Sequence, residues 1–217
     1  MAFNTEDLDL SKTALQELDI IYVLGGPGVG KGTQCTKLSR DFGFAHISVG
    51  DLLREEMKDP SSPHRELIEQ RMKEGGLVPP YLSNGVLLRE IEKYTVDGQK
   101  KFLVDGFPRS MDQVVEFENI CKSRFTLFFY APKDVMQQRV LGRFGTEGRF
   151  DDDRAIFNLR VDGFLRDTMP VIEYLRQESE VFTIDCEGPL QDAYIVIKDL
   201  ITEKYLGGKA GTEIEST

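Results

Sequence analysis

The run GGPGVGKGTQ at residues 25–34 sets five glycines around one lysine. Glycines let successive backbone N–H groups turn inward as an anion-binding nest. A helix opening at the lysine adds partial positive charge from its N-terminus, and Lys31 adds a full one. Gly25, Gly30 and Lys31 satisfy G-x-x-x-x-G-K, a phosphate-cradling loop. Gly32, however, stands where the usual pattern has a hydroxyl that ligates magnesium. Magnesium keeps several waters and often takes its other ligands from substrate phosphates, so the missing hydroxyl does not exclude the metal. Thr33 lies one step on. Asp105 closes the apolar run KFLVD at 101–105, where it could orient a magnesium-bound water or cap the turn that follows.

A chain of formal net charge −10 must hold anions with a local basic cluster. The stretch 139–166 supplies one, with Arg139, Arg143, Arg149, Arg154, Arg160 and Arg166. Arg149 sits in a polar loop where no core explains it. Arg160 has Asp153 and Asp167 seven residues to either side, so an ion pair competes with a ligand role. Arg139 and Arg143 share a helix face, and Arg139 reads as solvated surface. His46 reads as packed core, as do Phe125, Leu127 and Phe129. No Ser-His-Asp or paired-acid arrangement is visible.

These residues need elements to place them. Apolar runs at 19–24, 44–48, 101–105, 125–130 and 181–185 read as strands, the first buried on both faces. Helical patterns lie between them. Ser48 and Asp51 have capping-box-like spacing, Ser62-Pro63 reads as cap and first helical position, and Gly75-Gly76 ends that helix. Pro132 and Pro189 each fit a first turn. A long helix over 153–178 should kink or break at Pro170. Alternating strands and helices predict an α/β fold: a parallel five-stranded sheet of the P-loop NTPase type, helices on both faces. The span between the second and third strands holds three helical patterns and reads as an insertion.

Composition bounds the alternatives. The 217 residues fit one domain, 40% hydrophobic and 29% charged, with no apolar run long enough to span a membrane. Residues 1–18 carry several acids and one lysine, which suits neither a secretory signal nor a presequence. Cys35, Cys121 and Cys186 are widely spaced and read as buried thiols of a reducing cytoplasm, with the nucleus as a second compartment. The acidic balance argues against nucleic-acid binding. The absence of an N-K-x-D motif argues against a GTPase switch.

Six stretches in order carry a resemblance: GGPGVGKGTQ at 25–34, HISVGDLLR at 46–54, GLVP at 76–79, FLVDGFPR at 102–109, GRFDD at 148–152 and TMPVIEY at 168–174. Together they resemble the adenylate kinase family of nucleoside monophosphate kinases, from about residue 19 to 204. Its normal loop is G-K-G-T, so Gly32 is no defect. The resemblance implies phosphoryl transfer from MgATP to a nucleoside monophosphate, with magnesium as cofactor and small nucleotides as partners. Nucleic acid and membrane are not expected as partners, and a monomer is.

It also implies roles. Gly26, Pro27, Gly28, Val29, Gly30 and Gly32 should wrap the ATP phosphates with Lys31 and Thr33. Arg54 and Arg109 should hold the monophosphate, and Arg149 and Arg160 should bridge both phosphate chains. Lys31, Arg109, Arg149 and Arg160 would be the catalytic set. Arg143 should lie over the ATP base and Gly188 should contact it through backbone. Leu77, Val78 and Gly106 match acceptor-site positions. Residues 48–79 match a mobile monophosphate-binding insertion and 143–153 a short lid. The core would be 19–47, 80–142 and 154–204, followed by a flexible tail from 205.

Two positions bear on the acceptor. Val49 stands where adenylate kinases usually have threonine and UMP/CMP kinases commonly have alanine, and its apolar side chain cannot hydrogen-bond adenine, which favours a pyrimidine. Gln113 can pair with adenine and argues the other way. The chain looks most like fungal uridylate kinases, so UMP is expected, with CMP and AMP as further acceptors. A short-lid adenylate kinase and a catalytically silent nucleotide-binding protein are the alternatives. APK at 131–133, FNLR at 157–160 and FGTE at 144–147 depart from the family pattern.

Overall fold

The computed structural model describes residues 15–147 and 150–206, with side chains for 15–142 and 151–205. Five parallel strands form one sheet in the order β2-β3-β1-β4-β5. They are β1 (Asp19–Gly25), β2 (Ala45–Ser48), β3 (Lys101–Asp105), β4 (Ser123–Tyr130) and β5 (Val181–Asp185). β1 lies centrally, pairing with β3 on one side and β4 on the other. Its side chains alternate between two buried cores. Ile20, Tyr22 and Leu24 enter one, and Ile21 and Val23 enter the other. That two-faced burial explains why the run is apolar without a break.

The chain leaves β1 toward β2 and later crosses back to β4, so the direction of winding reverses beside β1. In such sheets, clefts open at the carboxyl ends of the strands flanking that point. Val23 pairs in register with Asp105, which sets the glycine loop after β1 beside the end of β3. A hydrogen bond from Gly106 N–H to the Val23 carbonyl, 2.9 Å, ties the two strand ends.

The helices are α1 (Lys31–Phe42), α2 (Val49–Lys58), α3 (Arg65–Lys73), α4 (Pro80–Val96), α5 (Met111–Glu118), α6 (Lys133–Glu147), α7 (Arg154–Gly163), α8 (Met169–Glu178) and α9 (Leu190–Leu206). α2, α3 and α4 fill the span between β2 and β3, as expected. Ser48 caps α2 by accepting from Asp51 N–H at 3.3 Å. Pro132 and Pro189 each stand one residue before a helix rather than inside it.

Several expectations need correction. Ser62 does not cap a helix starting at Pro63. α3 opens at Arg65, and Ser62 Oγ instead accepts from His64 N–H at 3.2 Å. The long helix over 153–178 is divided, but not by a kink at Pro170. A π-helical turn at Phe164–Thr168 separates α7 from α8, and Pro170 sits in the first turn of α8, where its missing N–H is harmless. Residue 205 does not belong to a flexible tail: Tyr205 lies in α9, edge-on to Phe44 and under the Arg124 guanidinium at 4.5 Å. Nor are residues 15–18 a mere extension. Leu15 is buried, and its carbonyl accepts from the Cys121 thiol at 2.9 Å. Residues 1–14 and 207–217 lie outside the described residues. Cys35, Cys121 and Cys186 are free and buried, as expected.

Candidate active site

The glycine loop is shaped by contacts that a side chain would destroy. Gly28 and Gly30 have φ of 78° and 103°, where an L residue is strained. A Cβ on Gly28 would also strike the Met136 carbonyl and lie 2.6 Å from Val140 Cγ2 of α6. A Cβ on Gly30 would meet Leu190 Cδ2 at 2.6 Å. The loop is therefore pressed between α6 and the start of α9. Val29 is fully buried in the core, so only its backbone can serve the loop. Lys31 folds over the loop, donating to the Gly25 and Gly26 carbonyls at 2.8 and 2.9 Å.

Asp105 is buried at the end of β3. Gly32 leaves space before it: a Cβ there would stand 3.7 Å from Asp105 Oδ2. A buried carboxylate facing a phosphate loop fits magnesium, which prefers oxygen donors and retains water. Thr33 is exposed in the first turn of α1. These two residues could hold the waters of such an ion.

His46 is not packed core. Strand alternation buries Ala45 and Ile47 and turns His46 the other way, half-buried, with Nε2 3.4 Å from Asp105 Oδ2.

Arginines gather across the loop. Arg54 of α2 and Arg109 after β3 converge on Gly50, where a Cβ would lie 3.4 Å from Arg54 Nη1 and 3.7 Å from Arg109 Nη2. Arg109 Nε donates to the Gly106 carbonyl at 2.6 Å, and Thr168 Oγ1 donates to the Arg109 carbonyl at 3.1 Å. Burial lowers the Arg109 pKa to about 10, helped by the charges of Arg160 and Arg54 and opposed by Asp105 and Asp151. It remains a cation at neutral pH.

Asp151 stands among them. Its carboxylate accepts from Arg54 Nη2 at 2.9 Å and Nε at 3.2 Å, and pairs with Arg160 Nη1 at 3.0 Å. Arg160 Nη1 also meets Asp152 Oδ1 at 3.1 Å. The expected ion pairs of Arg160 with Asp153 and Asp167 are not the ones formed. Asp153 caps α7 through Ala155 N–H, and Asp167 pairs with Arg166 within the π turn. Burial raises the Asp151 pKa, but the Arg54 hydrogen bonds and the charges of Arg54 and Arg160 outweigh it and leave it at about 2.

Arg139 is not solvated surface. It donates to the carbonyls of Cys186 at 2.7 Å, Gly188 at 2.8 Å and Glu187 at 3.3 Å, and reaches Val29 O at 3.5 Å. It thus clamps the loop after β5, Gly188 included, to the glycine loop. Nothing in its local spacing announced partners forty-seven or more residues away. Arg149 lies outside the described residues, as does the side chain of Arg143.

The cleft between these groups encloses about 1020 Å³, counted to its open mouth. Gly25, Pro27 and Lys31 of the glycine loop line it together with Arg54, Arg109 and Arg160. Val49, Met72, Leu77, Val78, Ser83 and Gln113 line the same cleft. Val49 and Gln113 are buried. The Gln113 amide is held at both ends: Oε1 accepts from Arg109 N–H at 2.6 Å, and Nε2 donates to Ser83 Oγ at 2.9 Å. Ser83 was not singled out in the sequence. Its only signal was a polar residue on an otherwise apolar helix face.

The family model described as adenylate kinase matches residues 23–180. The chain belongs to the adenylate kinase family. It is 43% identical over 188 residues to a uridylate kinase of Saccharomyces cerevisiae, covering 86% of this chain and 92% of that one. A uridylate kinase of Schizosaccharomyces pombe is 40% identical, with coverage of 84% and 95%. A human UMP-CMP kinase is 36% identical, with coverage of 81% and 92%. The family model begins inside β1 and ends just before β5, so it spans every arginine gathered at the cleft.

Proposed function

We propose that UMP is the preferred acceptor of this nucleoside monophosphate kinase, with CMP and AMP as further acceptors. The observation that carries this reading is a single cleft lined by the phosphate loop, by three arginines and by the apolar side chains of Val49, Leu77 and Val78. Val49 closes the base wall with a branched apolar side chain that offers adenine no hydrogen bond. The names of the relatives point the same way.

The donor phosphates rest on the backbone of Gly26–Gly32, with Lys31 leaving its loop carbonyls for them. Arg54 and Arg109 hold the acceptor phosphate, and Arg160 and Arg149 bridge both chains. Arg143 and the Arg139-clamped Gly188 loop frame the donor base. Leu77, Val78, Gly106 and Gln113 border the acceptor. Magnesium, bound with ATP, neutralises phosphate charge, and Asp105 and Thr33 are the residues that would hold its waters. The nucleophile is an acceptor phosphate oxygen, already anionic, so no general base is required. Catalysis reduces to alignment and charge stabilisation.

Substrate phosphates must replace Asp151 as the partner of Arg54 and Arg160. Residues 48–79 act as the acceptor insertion and 143–153 as the lid. Arg54 of the insertion pairs with Asp151 of the lid, and exchanging that pair for substrate phosphates lets the two close over both nucleotides and exclude water that would otherwise accept the phosphoryl group. Among the described residues, no helix is long and apolar enough to cross a membrane. The chain works as a monomer on small nucleotides in the cytoplasm.

The test is a kcat/KM panel for UMP, CMP, AMP, dCMP and GMP with ATP. Preference for UMP supports the reading, and a preference for AMP overturns it. Lys31→Met should lower turnover on the order of 10²–10³-fold while leaving the circular dichroism spectrum unchanged.

A further inference from the structure

We infer that Cys35, His46 and Asp105 form a binding site for a soft divalent cation such as zinc, directly behind the phosphate loop. Cys35 Sγ, a His46 ring nitrogen and an Asp105 carboxylate oxygen all lie within 4.8 Å of one another. They come from three different elements, α1, β2 and β3. Tetrahedral zinc, with bonds of about 2.0–2.3 Å, needs ligand atoms about 3.4–3.7 Å apart. The 3.4 Å between His46 Nε2 and Asp105 Oδ2 already meets that spacing. Cys35 must approach by about 1 Å or less, within reach of a side-chain rotation.

Three ligands leave one tetrahedral position for a water. Gly32 carries no side chain in front of Asp105, so a water can complete the shell from the phosphate side. Entry is from the His46 side, whose side chain is 20% exposed. The donor set decides the metal. Thiolate and imidazole select zinc over magnesium, which prefers oxygen. On binding, the Cys35 S–H bond breaks, its proton leaves to solvent, and a sulfur–metal bond forms; no electrons are transferred.

The site has a functional consequence. Zinc would take Asp105 Oδ2, the oxygen that faces Gly32 and the phosphate loop, in competition with the waters of a magnesium there. Zinc is therefore an inhibitor that acts by capturing Asp105 rather than by displacing nucleotide.

The experiment uses the purified full chain without nucleotide, titrated with cobalt(II) and then zinc. The expected result is one equivalent of cobalt bound with a thiolate-to-cobalt charge-transfer band, bleached by zinc. Cys35→Ser should remove the band, and His46→Gln should weaken zinc binding on the order of tenfold or more. In turnover assays micromolar zinc should inhibit the parent, reversibly with chelator, and leave Cys35→Ser active. Zinc affinity unchanged in both variants, or no charge-transfer band in the parent, overturns the inference. The binding readout does not depend on which monophosphate is the acceptor.

Discussion

Replacing Asp151 by Asn keeps the side chain's shape and removes its charge. That carboxylate is the shared partner of Arg54 and Arg160. Its pKa is lowered from 3.8 to about 2. A group depressed in the folded state contributes stability above its unfolded pKa and loses it as pH falls through the folded one. The shift corresponds to about 2 kcal/mol at pH 7, falling to about 1 kcal/mol at pH 3 and below about 0.5 kcal/mol at pH 2. Urea unfolding of parent and Asp151→Asn at pH 7, 5 and 3 measures this directly. The stability gap should be constant from pH 7 to 5 and should shrink by about half at pH 3. A bisubstrate inhibitor should close the gap at pH 7, because its phosphates replace the lost charge. A gap that stays the same from pH 7 to pH 3 refutes the account of Asp151 as a charge counterweight.

Other expectations follow from single contacts. Gly28→Ala, at φ 78° and against Met136 and Val140, should cost about 2–4 kcal/mol in urea unfolding and raise the KM for ATP. Arg139→Met breaks the clamp between the glycine loop and the Gly188 loop. It should raise the KM for ATP roughly tenfold, the equivalent of one lost charge-assisted hydrogen bond, and leave the KM for UMP unchanged. Equal effects on both would assign Arg139 to general stability instead. Gln113→Asn is one methylene too short to meet both Arg109 N–H and Ser83 Oγ. It should lower the AMP-to-UMP ratio of kcat/KM, and an unchanged ratio removes Gln113 from acceptor choice.

The strands were legible because burial on both faces writes continuous apolar runs, and each was placed to within two residues of its observed ends. The glycine loop was legible because its chemistry is local: backbone amides and one lysine. Arg139 was not, because its partners are carbonyls of the loop after β5, and a carbonyl leaves no trace in residue type. The Arg160 pairing was misplaced because periodicity assumed one straight helix from 153. The chain instead folds Asp151 and Asp152 back in a 3₁₀ turn before α7, and the π turn rotates Asp167 away. His46 was misread because an apolar neighbour on each side suggested a core. Alternation in β2 puts those neighbours inside and the histidine on the opposite side.

The sheet also acts as a partition. Val49, Leu53, Val78 and Phe107 belong to the core on one of its faces. Val29, Met136, Val140, Phe157 and Val161 belong to the core on the other. The base wall and the phosphate loop are thus upholstered from separate side-chain clusters on opposite faces of the sheet. Repacking behind one need not disturb the other. The side chains behind Val49 and Val78 can thus be exchanged one by one with the packing behind the glycine loop left intact.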